Sequence, residues 1–176
     1  MTLLASLFTA GALAIGTIAQ NDSSQDPNSG AQIIRDGWFE LNMNADKALP
    51  FFTPEGERTW VDGWDPKPVY PAQEDVAFQA NAVFRLDGHG DQSIWTILEA
   101  NLKDHIAEYV YVVEGERVSR VRVQIEPVTE SRCRVHVRYV HTAISEKGLR
   151  FIATLTEAAY SQKMRDWQQV VSAAIR

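Results

Sequence analysis

Tyr139 and His141 stand two residues apart in "RYVHT", so in an extended chain both project from the same face. A phenol and an imidazole on one apolar face can orient a ligand, or act as an acid and a base. Their structural alternative is a satisfied pair near a strand end, with His141 bonded to a backbone carbonyl or to Ser119. A second constellation is "WVDGWDPKPVYP", residues 60–71, where Trp60, Trp64 and Tyr70 are interleaved with Pro66, Pro68 and Pro71. The prolines stiffen the segment, and the three aromatics carry apolar bodies with polar tips. They either line the mouth of a ligand cavity or plug it as ordinary core. His89 in "DGHGD" looks like a metal loop only on the surface: two Asp and one His have no distant ligand to complete a site. It reads as a solvated turn. Cys133 is the single cysteine, which excludes an internal disulfide, and it lacks metal-type spacing. With no nucleophile motif and no Gly-rich phosphate loop, neither metal nor cofactor is expected.

Length and charge narrow the setting. A chain of 176 residues fits one domain, and 45% hydrophobic with 23% charged residues is a globular composition. A net charge of −6 argues against general affinity for nucleic acid phosphates. Leu3 to Ala19 carry no charge and then give way to polar "NDSSQDPNSG". Residues 1–20 therefore read as a signal peptide, with Thr17 and Ala19 at cleavage positions, or as an uncleaved membrane anchor. The expectation is an exported or membrane-anchored protein, with membrane association through the N-terminus. The alternative is an unstructured N-terminus on a cytoplasmic protein. Residues 21–31 form a linker too polar to join a core.

The elements that must position these residues begin at "IIRDGWFELN", a strand in which Gly37 marks a bulge or a close approach. Asn44 can cap a short helix that stops at Pro50, and Thr53 with Pro54 starts another. In residues 78–86, Phe78, Ala80, Ala82, Phe84 and Leu86 alternate onto one side. Two further strands cover residues 94–102 and 106–113, the second with Tyr109/Tyr111 and Val110/Val112 equally eligible as its inner face. Residues 113–117 make a hairpin around Gly115. If the next tight connection centres on Glu130, Ile125 stands opposite Val135 and Val123 opposite Val137, and the apolar faces coincide. Val121 then meets Tyr139, and Ser119 meets His141. From Ser145 onward one long helix carries the stripe Ile152, Leu155, Ala159, Met164, Trp167, Val171 and Ala174. The whole is an α+β single domain.

That register turns Arg120, Arg122, Arg132, Arg134 and Arg138 outward, with Arg122 opposite Arg138. Like charges across strands cost stability unless answered. They form either a basic patch for an anionic partner or membrane surface, or a solvated face answered by Glu108, Glu126 and Glu99.

The order of elements, together with "FFTPEGERTWVDGWDPKPVYP", "YVHTAISEKG" and "EAAYSQKMRDWQQVV", resembles the SRPBCC superfamily of START lipid-transfer domains, polyketide cyclases and pollen-allergen-like proteins. The resemblance spans residues 32–176. It implies a helix-grip fold: a curved antiparallel sheet wrapped round the C-terminal helix, two short helices after the first strand, and a cavity between sheet and helix. The function implied is binding of a hydrophobic small molecule, lipid-like or polycyclic. Its walls would be Ala82, Phe84, Val123, Val137, Ala159 and Trp167, with Trp60, Trp64 and Tyr70 at the mouth and Tyr139 and His141 inside. The alternatives are a cofactor-free cyclase-type enzyme using Tyr139 and His141, and a protein-interaction module with a filled cavity.

Overall fold

The computed structural model describes residues 30–72, 79–87 and 92–175. Its strands are β1 (Gln32–Leu41), β2 (Lys67–Tyr70), β3 (Val83–Leu86), β4 (Ser93–Asn101), β5 (Ile106–Val113), β6 (Arg117–Thr129) and β7 (Arg132–Ala143). They pair antiparallel in the order β1-β7-β6-β5-β4-β3-β2. Between β1 and β2 lie α1 (Ala45–Ala48), a 3-10 turn (Leu49–Phe52) and α2 (Pro54–Glu57), and the chain closes with α3 (Glu146–Thr154) and α4 (Glu157–Ala174). Asn44 and Thr53 cap the two short helices through their side chains, as their positions predict. Residues 1–29 and the His89 turn, as well as Phe78, lie outside the described residues. Just ahead of β1, the Ala31 carbonyl accepts from Ala143 N.

The β6–β7 register is the one that centring on Glu130 predicts: Ile125 faces Val135, Val123 faces Val137, Val121 faces Tyr139 and Ser119 faces His141. Following the pairs across the sheet builds the concave face in rows. One row runs Ile33, His141, Ser119, Tyr111, Trp95, Phe84, and the next runs Arg35, Tyr139, Val121, Tyr109, Ile97. This resolves β5 in favour of the tyrosines, which are buried inward while Val112 is exposed. Ala80, expected on the inner side, is exposed ahead of β3.

Two expectations change. Lys67–Tyr70, read as loop, is an edge strand. Pro68, which has no N–H to donate, is tolerated there because one side of the strand faces no partner. The long C-terminal helix is broken. Ser145 caps α3, and Thr156 then starts a new helix by accepting from Ala159 N at 3.1 Å. The Leu155 carbonyl left at the break accepts from Arg35 Nε at 2.5 Å, and Arg35 also pairs with Glu157. Beyond the break α4 crosses β1 at Gly37. A Cβ there would lie 2.6 Å from Met164 Cγ and 2.9 Å from Tyr160 Cε1, so Gly37 marks a close approach. The β1–β7 register passes through it unbroken.

On the convex face the arginines are answered. Glu108, 3% exposed, accepts from Arg120 and, at 2.6 Å, from Arg122. Burial alone would raise its pKa, but hydrogen bonds from the two arginines outweigh that and hold the carboxyl below its ordinary value. Glu99 also pairs with Arg122, Asp36 with Arg138, and Glu40 with Arg132 and Arg134. Arg122→Glu is therefore expected to destabilise by about 1–3 kcal/mol, because it withdraws a cation from a buried carboxylate and adds a like charge. Urea unfolding measures this; unchanged or raised stability would mean that Arg122 does not hold Glu108.

Candidate functional site

The concave face and α4 enclose a pocket lined by Pro54, Glu57, Trp64, Phe84, Trp95, Tyr109, Val121, Val123, Tyr139 and Trp167. Its walls are a continuous set of ring contacts. Trp95 stacks on Tyr111 at 4.1 Å and on Phe84 at 5.7 Å, and Trp64 meets Trp95 edge-on at 5.5 Å. Trp60, from the loop, meets Trp167, from α4, at 5.2 Å. These rings leave a free space of about 20 Å³, room for about one water. Among the described residues, indoles and phenols therefore occupy the space between this face and α4.

The Trp60–Trp64 segment is held by polar ties more than by its prolines. Trp60 Nε1 donates to the Phe51 carbonyl at 2.6 Å, and Trp64 Nε1 donates to the Pro54 carbonyl at 2.8 Å. Arg58 staples the segment from outside, donating to Glu55, Asp65 and the Pro66 carbonyl. Indole tips are thus satisfied while their faces point inward.

Of the residues singled out from the sequence, Trp64, Phe84, Val123, Tyr139 and Trp167 surround the pocket, and Trp60 sits beside it on Trp167 and Phe52. The others lie elsewhere. Tyr70 is 64% exposed at the end of the edge strand, where the register shifts after Pro68 and Val69 is exposed as well. Ala82 is fully buried against the core ahead of β3, bonded to β4 through its carbonyl. Val137 is buried beneath Tyr160, whose hydroxyl donates to its carbonyl. Ala159 is exposed: within α4 it lies five residues before Met164 and out of phase with it, and Tyr160, Met164 and Val171 carry the buried stripe.

His141 is buried behind the pocket. It stacks on Tyr139 at 5.1 Å, is covered edge-on by Phe151, and shares a 2.8 Å hydrogen bond with Ser119 Oγ. Burial, followed by the charges of Lys163, Arg117 and Arg35, lowers its pKa to about 4. At neutral pH it is an uncharged, bonded residue that does not line the pocket. Burial also raises the Tyr139 hydroxyl well above its ordinary pKa, so it stays protonated. His141 is thus the bonded residue of the structural alternative, satisfied by Ser119, while Tyr139 is held by ring contacts.

Two polar groups stand at the pocket: Glu57 lines it, and Lys163 lies against two of its lining rings, Tyr139 and Trp167. Glu57, at the end of α2, is half-buried as a residue, but its carboxyl turns inward, and desolvation raises its pKa to about 8 against a lesser lowering by Lys163. Lys163 lies over the ring of Tyr139 at 4.4 Å and that of Trp167 at 5.0 Å. Desolvation lowers its pKa to about 8, partly opposed by Glu57. Among the described residues, no hydrogen bond or ion pair engages either head group. A signal for Lys163 existed in the sequence: it falls at i+3 from Tyr160 and i−4 from Trp167, a lone cation in an apolar stripe. Glu57 had none, since its direction follows from how α2 closes over the sheet. A wider groove of about 670 Å³ lies on the convex face, but it is open, and its Arg122 and Arg138 already have carboxylate partners.

This architecture is a helix-grip fold: a seven-stranded antiparallel sheet with short helices after the first strand and a closing C-terminal helix. Among solved structures, the chain is similar to norcoclaurine synthase from Thalictrum flavum in complex with dopamine and hydroxybenzaldehyde. The TM-score is 0.60 at 8% identity, over 98% of this chain and 96% of that one. A hypothetical protein from Helicobacter pylori matches with a TM-score of 0.59 at 12% identity, over 97% and 100% of the two chains. The di-domain ARO/CYC protein BexL from the BE-7585A biosynthetic pathway gives 0.56 at 12% identity, over 79% of this chain and 46% of that one. No protein-family model matches the sequence, and no curated protein sequence matches it. At these identities the likeness is one of fold.

The raised pKa of Glu57 makes stability depend on pH. Its contribution is full below the ordinary value of 4.5 and is lost as pH rises towards about 8, where the charged carboxylate must sit among rings. Glu57→Gln, which cannot ionise, is expected to melt progressively higher than the parent as pH rises over that window, with the difference level above it. A margin of ~2–4 °C corresponds to about 1 kcal/mol at this size. Melting curves of both proteins across that range check it; a constant difference would place the carboxyl in water.

Proposed function

We propose that the protein binds a small, flat aromatic molecule between the concave face of the sheet and α4, without a covalent step. The observation that carries this reading is an aromatic-walled pocket lined by the unengaged Glu57, with the unengaged Lys163 lying against two of its wall rings. Such a pocket, apolar with few placed polar groups, is the usual form of a small-molecule site. The fold neighbour crystallised with dopamine and hydroxybenzaldehyde supports the size class.

The free space of about 20 Å³ argues for rings over lipid chains. A guest must displace a side chain, and the half-buried Trp60, Trp64 and Trp167 form the door. Swinging an indole aside loses ring-edge contacts worth about 0.5–1.5 kcal/mol each, which an incoming aromatic ring re-forms and an alkyl chain does not. Catalysis of a cyclase type is the second reading. It rests on Glu57 and Lys163, whose pKa values of about 8 suit proton transfer near neutrality.

The five tryptophans give separate indole N–H resonances for the test. Titration with naphthylmethanol is expected to shift Trp60, Trp64 and Trp167, leave the exposed Trp38 in place, and raise the melting temperature. No shift at any interior indole and no thermal stabilisation would sink the reading.

Residues 1–20 are proposed to export the protein or anchor it to a membrane, on the strength of their uncharged run. Expressed in its own cell, the protein should be recovered shortened to about residue 20 or in the membrane fraction. Full-length soluble protein would overturn this.

A further inference from the structure

The two polar heads differ in what they offer. Lys163 is a donor only, and it is fixed on the Tyr139 and Trp167 rings with no carboxylate bonded to it. Glu57 lines the pocket whose wall includes those two rings, and among the described residues neither head has a hydrogen-bond partner. Other titratable groups close to Lys163 are Tyr139 and His141 on β7. The first is held protonated by burial, and the second is neutral and bonded to Ser119. Below about pH 8 the pocket therefore presents an ammonium and a protonated carboxyl, one positive charge and two hydrogen-bond donors. Such a pair is complementary to an oxygen acceptor that bears negative charge, and opposed to a cation.

We propose that the ligand is an aromatic acid, a flat ring bearing a carboxylate that lies against the Lys163 ammonium with Glu57 donating to it. The carboxylate supplies the partner that both heads lack, while its ring takes the place of the displaced indole contacts. Lys163 is then the residue that selects ligand charge, and Glu57 supports it only while protonated. The inference rests on the aromatic pocket being the binding site.

Three probes with one ring and different heads separate the two ideas: naphthoate, naphthylmethanol and naphthylmethylammonium, each titrated by indole resonance shifts. Naphthoate is expected to bind roughly ten- to hundredfold tighter than the alcohol, as a charge-assisted bond to a desolvated donor implies, and the ammonium weakest. In Lys163→Met, melting as a folded protein, the naphthoate-to-alcohol ratio should fall to about one. For the parent protein the ratio should also fall as pH rises through about 8, since Lys163 loses its charge and Glu57 gains one in the same window. Equal binding of naphthoate and alcohol, or a ratio unchanged in Lys163→Met, overturns the acid specificity and leaves the aromatic pocket standing. Failure of all three to bind overturns the pocket itself.

Discussion

The seating of α4 on β1 at Gly37 is the constraint from which the rest of the site follows. Only a residue without a side chain lets Met164 and Tyr160 descend to the strand backbone. Tyr160 then locks the helix by donating to the Val137 carbonyl. With those two points fixed, Lys163, just before Met164, comes over Tyr139, and the next turn sets Trp167 against Trp60. Lifting the helix by the width of one methyl group would separate the rings that close the pocket, and with them the desolvation of both titratable heads.

A local rule of burial is broken at the place where function is proposed. A carboxyl and an ammonium share an aromatic enclosure without pairing, which costs stability that an apolar residue at either position would not. Elsewhere the same chain obeys the rule: Glu108, buried more deeply, is bracketed by two arginines. The contrast between a fully answered buried acid on the convex face and an unanswered one on the concave face is the electrostatic asymmetry of this sheet.

Strand register was legible because it rests on alternation. Placing apolar faces together fixed Val121 opposite Tyr139 and Ser119 opposite His141, and both pairs stand as expected. The α+β class and the short capped helices were legible for similar local reasons. What could not be read was direction where local signals conflict. Thr156 looked like one more helical residue, yet its hydroxyl caps a new helix, α4, in which Tyr160 and not Ala159 is in phase with Met164 and Val171. Tyr70 shared a segment with Trp60 and Trp64, but its position is set by pairing with β3, which lies beyond the segment in sequence. Cavity size was also hidden, since Trp95 and both tyrosines of β5 turn inward only once their strands are paired.

The ring contacts have an optical consequence. Trp64 and Trp95 lie 5.5 Å apart, Trp60 and Trp167 5.2 Å, and Trp95 is stacked on Tyr111 at 4.1 Å. Chromophores so close and so fixed share their excited states, and their near-ultraviolet dichroism belongs to the array more than to any one ring. Trp38 stands apart on the convex face, 56% exposed under the Arg134 guanidinium, and emits as a solvent-facing indole. The emission of the protein is thus divided by the sheet itself: a red-shifted signal from one side, and from the other a coupled signal in which disturbing one indole dims its neighbours.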